Sequence, residues 1–358
     1  MKIGLDLRFI DNDLYSWFVL ELIKNLINTD KKNNYILYTN RVLLTEKKPC
    51  ITTKIVWIKN WTTGEQLKFY KILKKDKNDL VIFFNYYKPL MYKGEYYIII
   101  QDLKYIYYTN FNSTIQKYKN IYLFEKNIKN ASKIICFDTN TKDELIENYH
   151  IKEKEVIVLQ GFFIKSSLIS KEKEIDLKID TKTKYQINGD FFVYSWWDWI
   201  EKNLEKLIYV FEKLNQKHNL NLLIIWDIIS RNISLRKLVM ECKMQDKIKF
   251  LWKINKEEKK HIYLQTKWVI FPSLYETFPF HLSEPLYFDI PILASNLENI
   301  KNIFWNTIKY FSPISKSSMI NAMDSYLKIT PKKIDYKKIR EKYIAKNSVE
   351  FLLKIINL

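Results

Sequence analysis

Glycine is unusually scarce in this chain of 358 residues: there are 5, against 10 tryptophans. Average glycine usage is about 7%, so few positions allow a left-handed turn or close approach of backbone to a ligand. Cysteine is scarce too. Cys50, Cys136 and Cys242 form no C-x-x-C pair, and with only 4 histidines no zinc-ligand spacing appears. The pattern suits a reducing cytoplasm. No uninterrupted apolar run reaches the ~18 residues of a membrane span. The opening MKIGLDLRF carries Asp6 and Arg8 and reads as a first strand, not a signal peptide. Membrane contact is therefore expected to be peripheral, at the inner face of the cell membrane.

Apolar residues make up 47% of the chain, enough for a sizeable core. Lys+Arg is 59 and Asp+Glu 40, a net charge of +19. Such a charge suits an anionic partner: nucleic acid, an acidic membrane or a phosphorylated ligand. The lysines are spread along the chain, so a general solvated basic surface explains them equally well. No helix-turn-helix, zinc module or RNA-binding aromatic motif is present, so specific nucleic-acid binding is not expected.

Short apolar runs alternate with amphipathic ones. Strands are expected at 2–7, 35–39, 54–58, 80–84, 96–100, 133–137 and 155–159, then at 191–195, 222–226, 248–252, 267–271 and 291–295. Helices are expected at 16–28, 64–75, 116–130 and 140–149, then at 202–217, 231–244, 256–264, 280–288 and 317–328. The pattern predicts mostly parallel sheets covered on both faces. Residues 1–165 form a first α/β domain and 191–332 a second. The lysine-rich 166–190 is a linker or lead-in, and 333–358 is a C-terminal helix returning towards the first domain. A ligand is expected in a cleft at the carboxyl ends of the strands.

The sharpest local signal is FPSLYETFPFHLSEPLYFDIPILAS, from Phe271 to Ser295. Glu276 falls in a loop after an apolar strand. Glu284 falls in the first turns of the next helix, flanked by Leu282, Leu286 and Tyr287. Two solvated glutamates would also fit the spacing. Against that reading, Phe278-Pro279-Phe280 makes a restricted apolar turn at a helix start, where unpaired N–H groups suit an anion. A carboxylate held there accepts hydroxyls of a sugar or ribose.

This stretch resembles the E-x7-E signature of retaining glycosyltransferases of family 4, which have the GT-B fold: two Rossmann-like α/β/α domains facing each other across a deep cleft. The resemblance extends along most of the chain. It takes in MKIGLDLRF, FEKNIKNASKIICFDTNTKDELIENY, VIVLQGF, FFVYSWWDWIEKNLEKLIYVF and FLWKINKEEKKHIYLQTKWVIFPSLYE. It implies transfer of a hexose from a nucleotide-sugar to a glycan or lipid-linked acceptor, with retention, in cell-surface polysaccharide or glycolipid synthesis. Glu284 would accept the ribose hydroxyls and Glu276 the hydroxyls of the transferred sugar. Lys202 would pair with the diphosphate, with backbone N–H groups around Phe278–Leu282 completing the cradle. The 11–17 loop would close over phosphates and acceptor. No metal or other cofactor is implied, the nucleotide-sugar being a co-substrate. Tyrosines and lysines of YKPLMYKGEYY and LKYIYYTNF would touch an anionic membrane.

Three departures stand out. The family's histidine before an aspartate is Gln101 here, which cannot titrate near neutral pH; Asp102 follows it. The arginine beside the lysine is Glu201. The usual Gly-Phe-Gly after the first glutamate is Thr277-Phe278-Pro279. Tryptophan, moreover, stands where the family places glycine: at Trp196 and Trp252 beside the donor, and also at Trp226, Trp305 and Trp17. An indole cannot replace glycine where backbone approaches a ligand. Translation of UGA as tryptophan, where the organism reads it as glycine, would produce this pattern. A degenerate donor pocket, or one rebuilt around indoles, would do so as well. The departures leave an alternative function: a catalytically impaired GT-B protein that binds nucleotide-sugar or serves as a partner subunit. An inverting enzyme is a further alternative, disfavoured by the paired glutamates.

Overall fold

The computed structural model describes residues 1–10, 14–43, 48–58, 62–103, 114–163, 180–195, 200–226, 233–252, 254–328 and 334–357. The chain divides into two compact units: Met1–Ile164 with Tyr343–Leu358, and Lys165–Lys342.

The first unit is built on strands β1 (Lys2–Asp6), β2 (Asn34–Thr39), β3 (Ile51–Ile55), β4 (Leu80–Phe83), β5 (Tyr96–Ile100), β6 (Lys133–Cys136) and β7 (Val156–Val158). Their order across the sheet is β3-β2-β1-β4-β5-β6-β7, and all pairs are parallel. Central strands such as LVIF and YYIII are buried at every position. Continuous apolar runs of this kind suit a parallel sheet covered on both faces. Helices α1 (Leu14–Thr29), α2 (Tyr70–Asp76), α3 (Thr114–Lys129) and α4 (Thr139–Tyr149) lie on the crossovers. Helix α4 is capped by Asp138, whose carboxylate accepts from the N–H of Thr141 at 3.0 Å.

The second unit repeats the plan. Its strands are β8 (Asp190–Ser195), β9 (Leu220–Trp226), β10 (Ile248–Trp252), β11 (Trp268–Phe271), β12 (Ile292–Ser295) and β13 (Lys309–Phe311). They run parallel in the order β10-β9-β8-β11-β12-β13. The connecting helices are α5 (Leu204–Asn215), α6 (Ile233–Glu241), α7 (Lys256–Gln265), α8 (Ser283–Tyr287), α9 (Glu298–Phe304) and α10 (Lys316–Leu327). In each unit the order reverses between the first and fourth strands, β1 and β4 or β8 and β11. The carboxyl ends at such a reversal are where doubly wound sheets bind ligands.

Several elements differ from the sequence expectations. Strand β3 is Ile51–Ile55, not 54–58: the apolar Val56-Trp57-Ile58 lies past the segment that pairs with β2, and Trp57 is exposed. Strand β13 and helix α9 were not expected, both being short and lacking a clear period. The C-terminal stretch is two helices, α11 (Lys337–Lys342) and α12 (Ala345–Ile356), and the unit boundary falls between them. Helix α12 packs on α1 and buries Val349, Leu352, Ile355 and Ile356.

At the end of β1 the Arg8 guanidinium lies 2.8 Å from the Asp6 carboxylate and 2.7 Å from that of Glu65, all three groups almost fully buried. Its face stacks on Phe69, 3.6 Å from the ring centroid. Glu65 and Phe69 belong to a π-helical turn, Glu65–Phe69, that leads into α2.

Candidate active site

The reversal point of the second unit lies between the ends of β8 and β11, at Ser195 and Phe271. After β8 the chain passes through a 3₁₀ turn, Ile200–Lys202, and enters α5 at Leu204. Asn203 makes the junction in the left-handed conformation, φ 61°, which asparagine tolerates better than most residues. Its buried side-chain amide donates to the carbonyls of Pro272 (3.0 Å) and Pro313 (2.9 Å). Leu274 N–H donates to the Glu201 carbonyl at 2.7 Å. These bonds tie the loop after β8 to the loops after β11 and β13 and hold Lys202 beside them.

Lys202 and Glu276 meet there. The Lys202 ammonium pairs with Glu276 Oε1, and both side chains are 7% exposed. Ser273 Oγ donates to the same oxygen at 2.9 Å. Behind the loop, Asn299 from the first turn of α9 donates from Nδ2 to the Glu276 carbonyl and, at 2.7 Å, to that of Thr277. Glu276 is thus fixed through its side chain by Lys202 and Ser273 and through its backbone by Asn299.

Glu284 lies in the first turn of α8. Its Oε2 is 3.0 Å from the ammonium of Lys259, in the first turn of α7. The two glutamates of E-x7-E therefore each face a lysine brought from a different strand–helix unit. Buried apolar neighbours Leu282 and Leu286 flank Glu284, and Phe278 and Phe280 are buried, their ring centroids 4.9 Å apart.

The amides of the 278–282 turn are less available than a helix start suggests. Phe280 N–H donates to the Phe278 carbonyl (2.8 Å), Leu282 N–H to that of Pro279 (2.9 Å), and Pro279 has no N–H. A 3₁₀ turn, Phe280–Leu282, precedes α8, which is five residues long. The two lysines at this site, Lys202 and Lys259, are each paired with a glutamate.

Gln101 and Asp102 follow the carboxyl end of β5 in the first unit. The Lys202–Glu276, Ser273–Glu276 and Lys259–Glu284 contacts all lie within the second unit. Trp196, Trp197 and Trp199 lie outside the described residues, as does 11–13 of the N-terminal loop. Trp252 closes β10, with the Arg236 guanidinium 4.6 Å from its ring centroid. Lys259, Ser273 and Asn299 were missed from sequence. Only Ser273 carried a signal, sitting three residues before Glu276 in the motif itself. Among the described residues no cluster of three His, Cys, Asp or Glu could hold a metal, and no helix is long and apolar enough to cross a membrane.

Comparison with known proteins bears on the fold and on the second unit. The family model "Glycosyl transferases group 1" matches residues 190–348, which include Lys202, Lys259, Glu276, Glu284 and Asn299. The O-antigen chain mannosyltransferase RfbU of Salmonella typhimurium is 23% identical over 227 residues, 63% of this chain and 59% of that protein. The match thus spans less than two thirds of that relative's length. Among solved structures, a sucrose-phosphate synthase from Thermosynechococcus elongatus superposes with a TM-score of 0.75 at 14% identity, covering 100% of this chain and 98% of that one. Anabaena HepE, in complex with UDP-glucose, gives 0.74 at 12% identity, covering 100% and 99%. The chain has the GT-B fold, and its residues 190–348 match the model of the group 1 glycosyltransferases.

Proposed function

We propose that this protein is a retaining glycosyltransferase that moves a hexose from a nucleotide-sugar to a glycan or lipid-linked acceptor in the synthesis of a cell-surface polysaccharide or glycolipid. The observation that carries the reading is the pairing of Lys202 with Glu276 at the reversal point of the second sheet, with Glu284 in the helix that follows. The relatives fit it: one is named as an O-antigen mannosyltransferase and another was solved with UDP-glucose.

In this reading Glu284 accepts hydroxyls of the ribose, Glu276 accepts hydroxyls of the hexose, and Lys202 turns from Glu276 to the donor diphosphate. The lysine then stabilises negative charge as the sugar–phosphate bond breaks, an electrostatic contribution that is large where water is excluded. Gln101 and Asp102 belong to the acceptor side, where Gln101 orients a hydroxyl by hydrogen bonding without taking a proton. The Phe278-Pro279-Phe280 turn walls the donor pocket; Trp252 and Trp196, or glycines in their place, remain candidate donor residues, Trp196 lying outside the described residues.

Peripheral membrane contact belongs to the same proposal. In the β4–β5 crossover, Leu90 and Met91 are exposed, and Met91 lines a surface cavity with Lys74, Lys77 and Lys93. Apolar tips ringed by lysine suit an anionic bilayer. Residues 104–111 of the second tyrosine-rich stretch lie outside the described residues.

The test is to incubate the protein with UDP-, GDP- and ADP-linked hexoses and an undecaprenyl-linked acceptor, then read nucleoside diphosphate release and the anomeric configuration of product. Release with retention supports the proposal. Binding of a nucleotide-sugar without release moves the impaired-partner reading ahead, and inversion overturns the mechanism.

A further inference from the structure

Lys259 and Glu284 come from separate crossovers of the second unit: α7 follows β10 and α8 follows β11. Each residue sits in the first turn of its helix, so each lies near the carboxyl edge of the sheet. Their ammonium and carboxylate are 3.0 Å apart, with side chains 14% and 20% exposed. Exposed pairs contribute little and are screened by salt. This pair is largely shielded and holds its geometry better.

The neighbours of Lys259 are otherwise engaged. Glu258 pairs with Lys184 and accepts from Tyr185, and His261 is buried. The start of α7 is set by Asn255, whose Oδ1 accepts from Glu258 N–H at 2.8 Å. Lys259 is therefore presented by a capped, anchored turn.

We infer that Lys259 is a positioning residue for nucleotide recognition: it fixes the Glu284 carboxylate in the orientation that accepts the donor's ribose hydroxyls. This rests on the proposed donor role of Glu284 and adds the group that makes that role specific. A carboxylate held through Oε2 has its plane set before ligand arrives, so less orientational freedom is lost on binding. Sites built to bind a hydroxyl reject analogues lacking it because the buried acceptor is left unpaired. With the lysine gone, Glu284 is free to turn to water, and the penalty for a missing hydroxyl falls.

The experiment is calorimetric titration of the full chain with UDP, GDP and ADP and their 2′-deoxy counterparts, in wild type, Lys259→Met, Lys259→Gln and Lys259→Arg. Wild type is expected to prefer the ribonucleotide of its own base by tenfold or more. Lys259→Met and Lys259→Gln are expected to reduce that preference to within threefold, and Lys259→Arg to retain most of it. A purely structural lysine would lower the melting temperature and leave the preference intact; that result, in whichever neutral variant folds, overturns the inference and leaves the proposed function standing. Wild-type binding without ribose preference also overturns it. Failure of wild type to bind any ribonucleotide overturns the proposed function, and the inference with it.

Discussion

Asn299 makes two hydrogen bonds from one amide nitrogen, to the carbonyls of Glu276 and Thr277. Replacing that donor by a carboxylate oxygen of the same shape sets it against two carbonyls. Asn299→Asp is expected to lower the transfer rate ten- to a hundredfold and to cost about 1–3 kcal/mol of stability. Steady-state kinetics with denaturant melts checks both; an unchanged rate would mean that Asn299 does not hold Glu276. The tryptophans give a contrast of sign. Trp305 has φ 48° and ψ −124°, a conformation suited to glycine, and its side chain is 72% exposed. Holding a bulky residue there costs about 1–3 kcal/mol, so Trp305→Gly is expected to stabilise the chain. Trp268 is 1% exposed and stacks on Phe192 at 5.0 Å, so Trp268→Gly is expected to cost 3–5 kcal/mol or more. Thermal melts of the two variants check the pair. Opposite signs are the result expected if Trp305 stands where the organism makes glycine; a loss of stability in Trp305→Gly would count against that reading. Glu276, Glu284 and Lys202 could be nominated from sequence because their spacing is local or motif-bound. Lys259 and Asn299 act across crossovers, and nothing in their own neighbourhoods marks them.

At the scale of elements, the periodic and strongly apolar segments were legible. Strands β1, β5 and β6 and helix α4 fall within a residue of expectation at each end. What was lost was short or on an edge. Strand β3 has a largely exposed pattern, so its bounds follow from pairing with β2 rather than from burial. Strand β13, three residues at the opposite edge of the other sheet, carries too few positions to show a period. The β4–β5 crossover also holds a charge no pattern predicts. Lys88 is buried, its ammonium 4.6 Å from the Tyr96 ring centroid and donating to the Pro89 and Tyr92 carbonyls. Burial pulls it down to about 8 from the ordinary 10.5. The folded state thus binds this proton less tightly than the unfolded chain, a penalty present in full below pH 8 and relieved as pH rises towards 10.5. Stability is expected to rise by roughly 1–2 kcal/mol from this group between pH 7.5 and 9.5. Lys88→Met should lose that slope in urea melts across the range, whereas an equal slope in the variant would assign it elsewhere.

At the scale of the whole molecule, the last helix belongs with the first unit. Leu352 of α12 is fully buried, and the helix packs on α1. Leu352→Ala is expected to cost about 2–5 kcal/mol, seen as earlier unfolding by thermal melt; a neutral result would mean that α12 is dispensable to that core. The doubled α/β plan was legible because two series of apolar strands, each alternating with helices, leave few other architectures. The break between α11 and α12 was not, since 333–356 reads as one amphipathic run. The net charge of +19 bears on anionic partners without selecting among them. In the proposed function the reversal point of the second sheet is a nucleotide-sugar site in which Lys202 leaves Glu276 for the donor diphosphate. Its most direct measurement is equilibrium binding of UDP, GDP and ADP to wild type and to Lys202→Met. Wild type is expected to bind one diphosphate with micromolar to millimolar affinity and the variant to bind it tenfold or more weakly, with the corresponding nucleoside, which lacks phosphates, bound equally by both. Equal diphosphate affinity in the two proteins would contradict it.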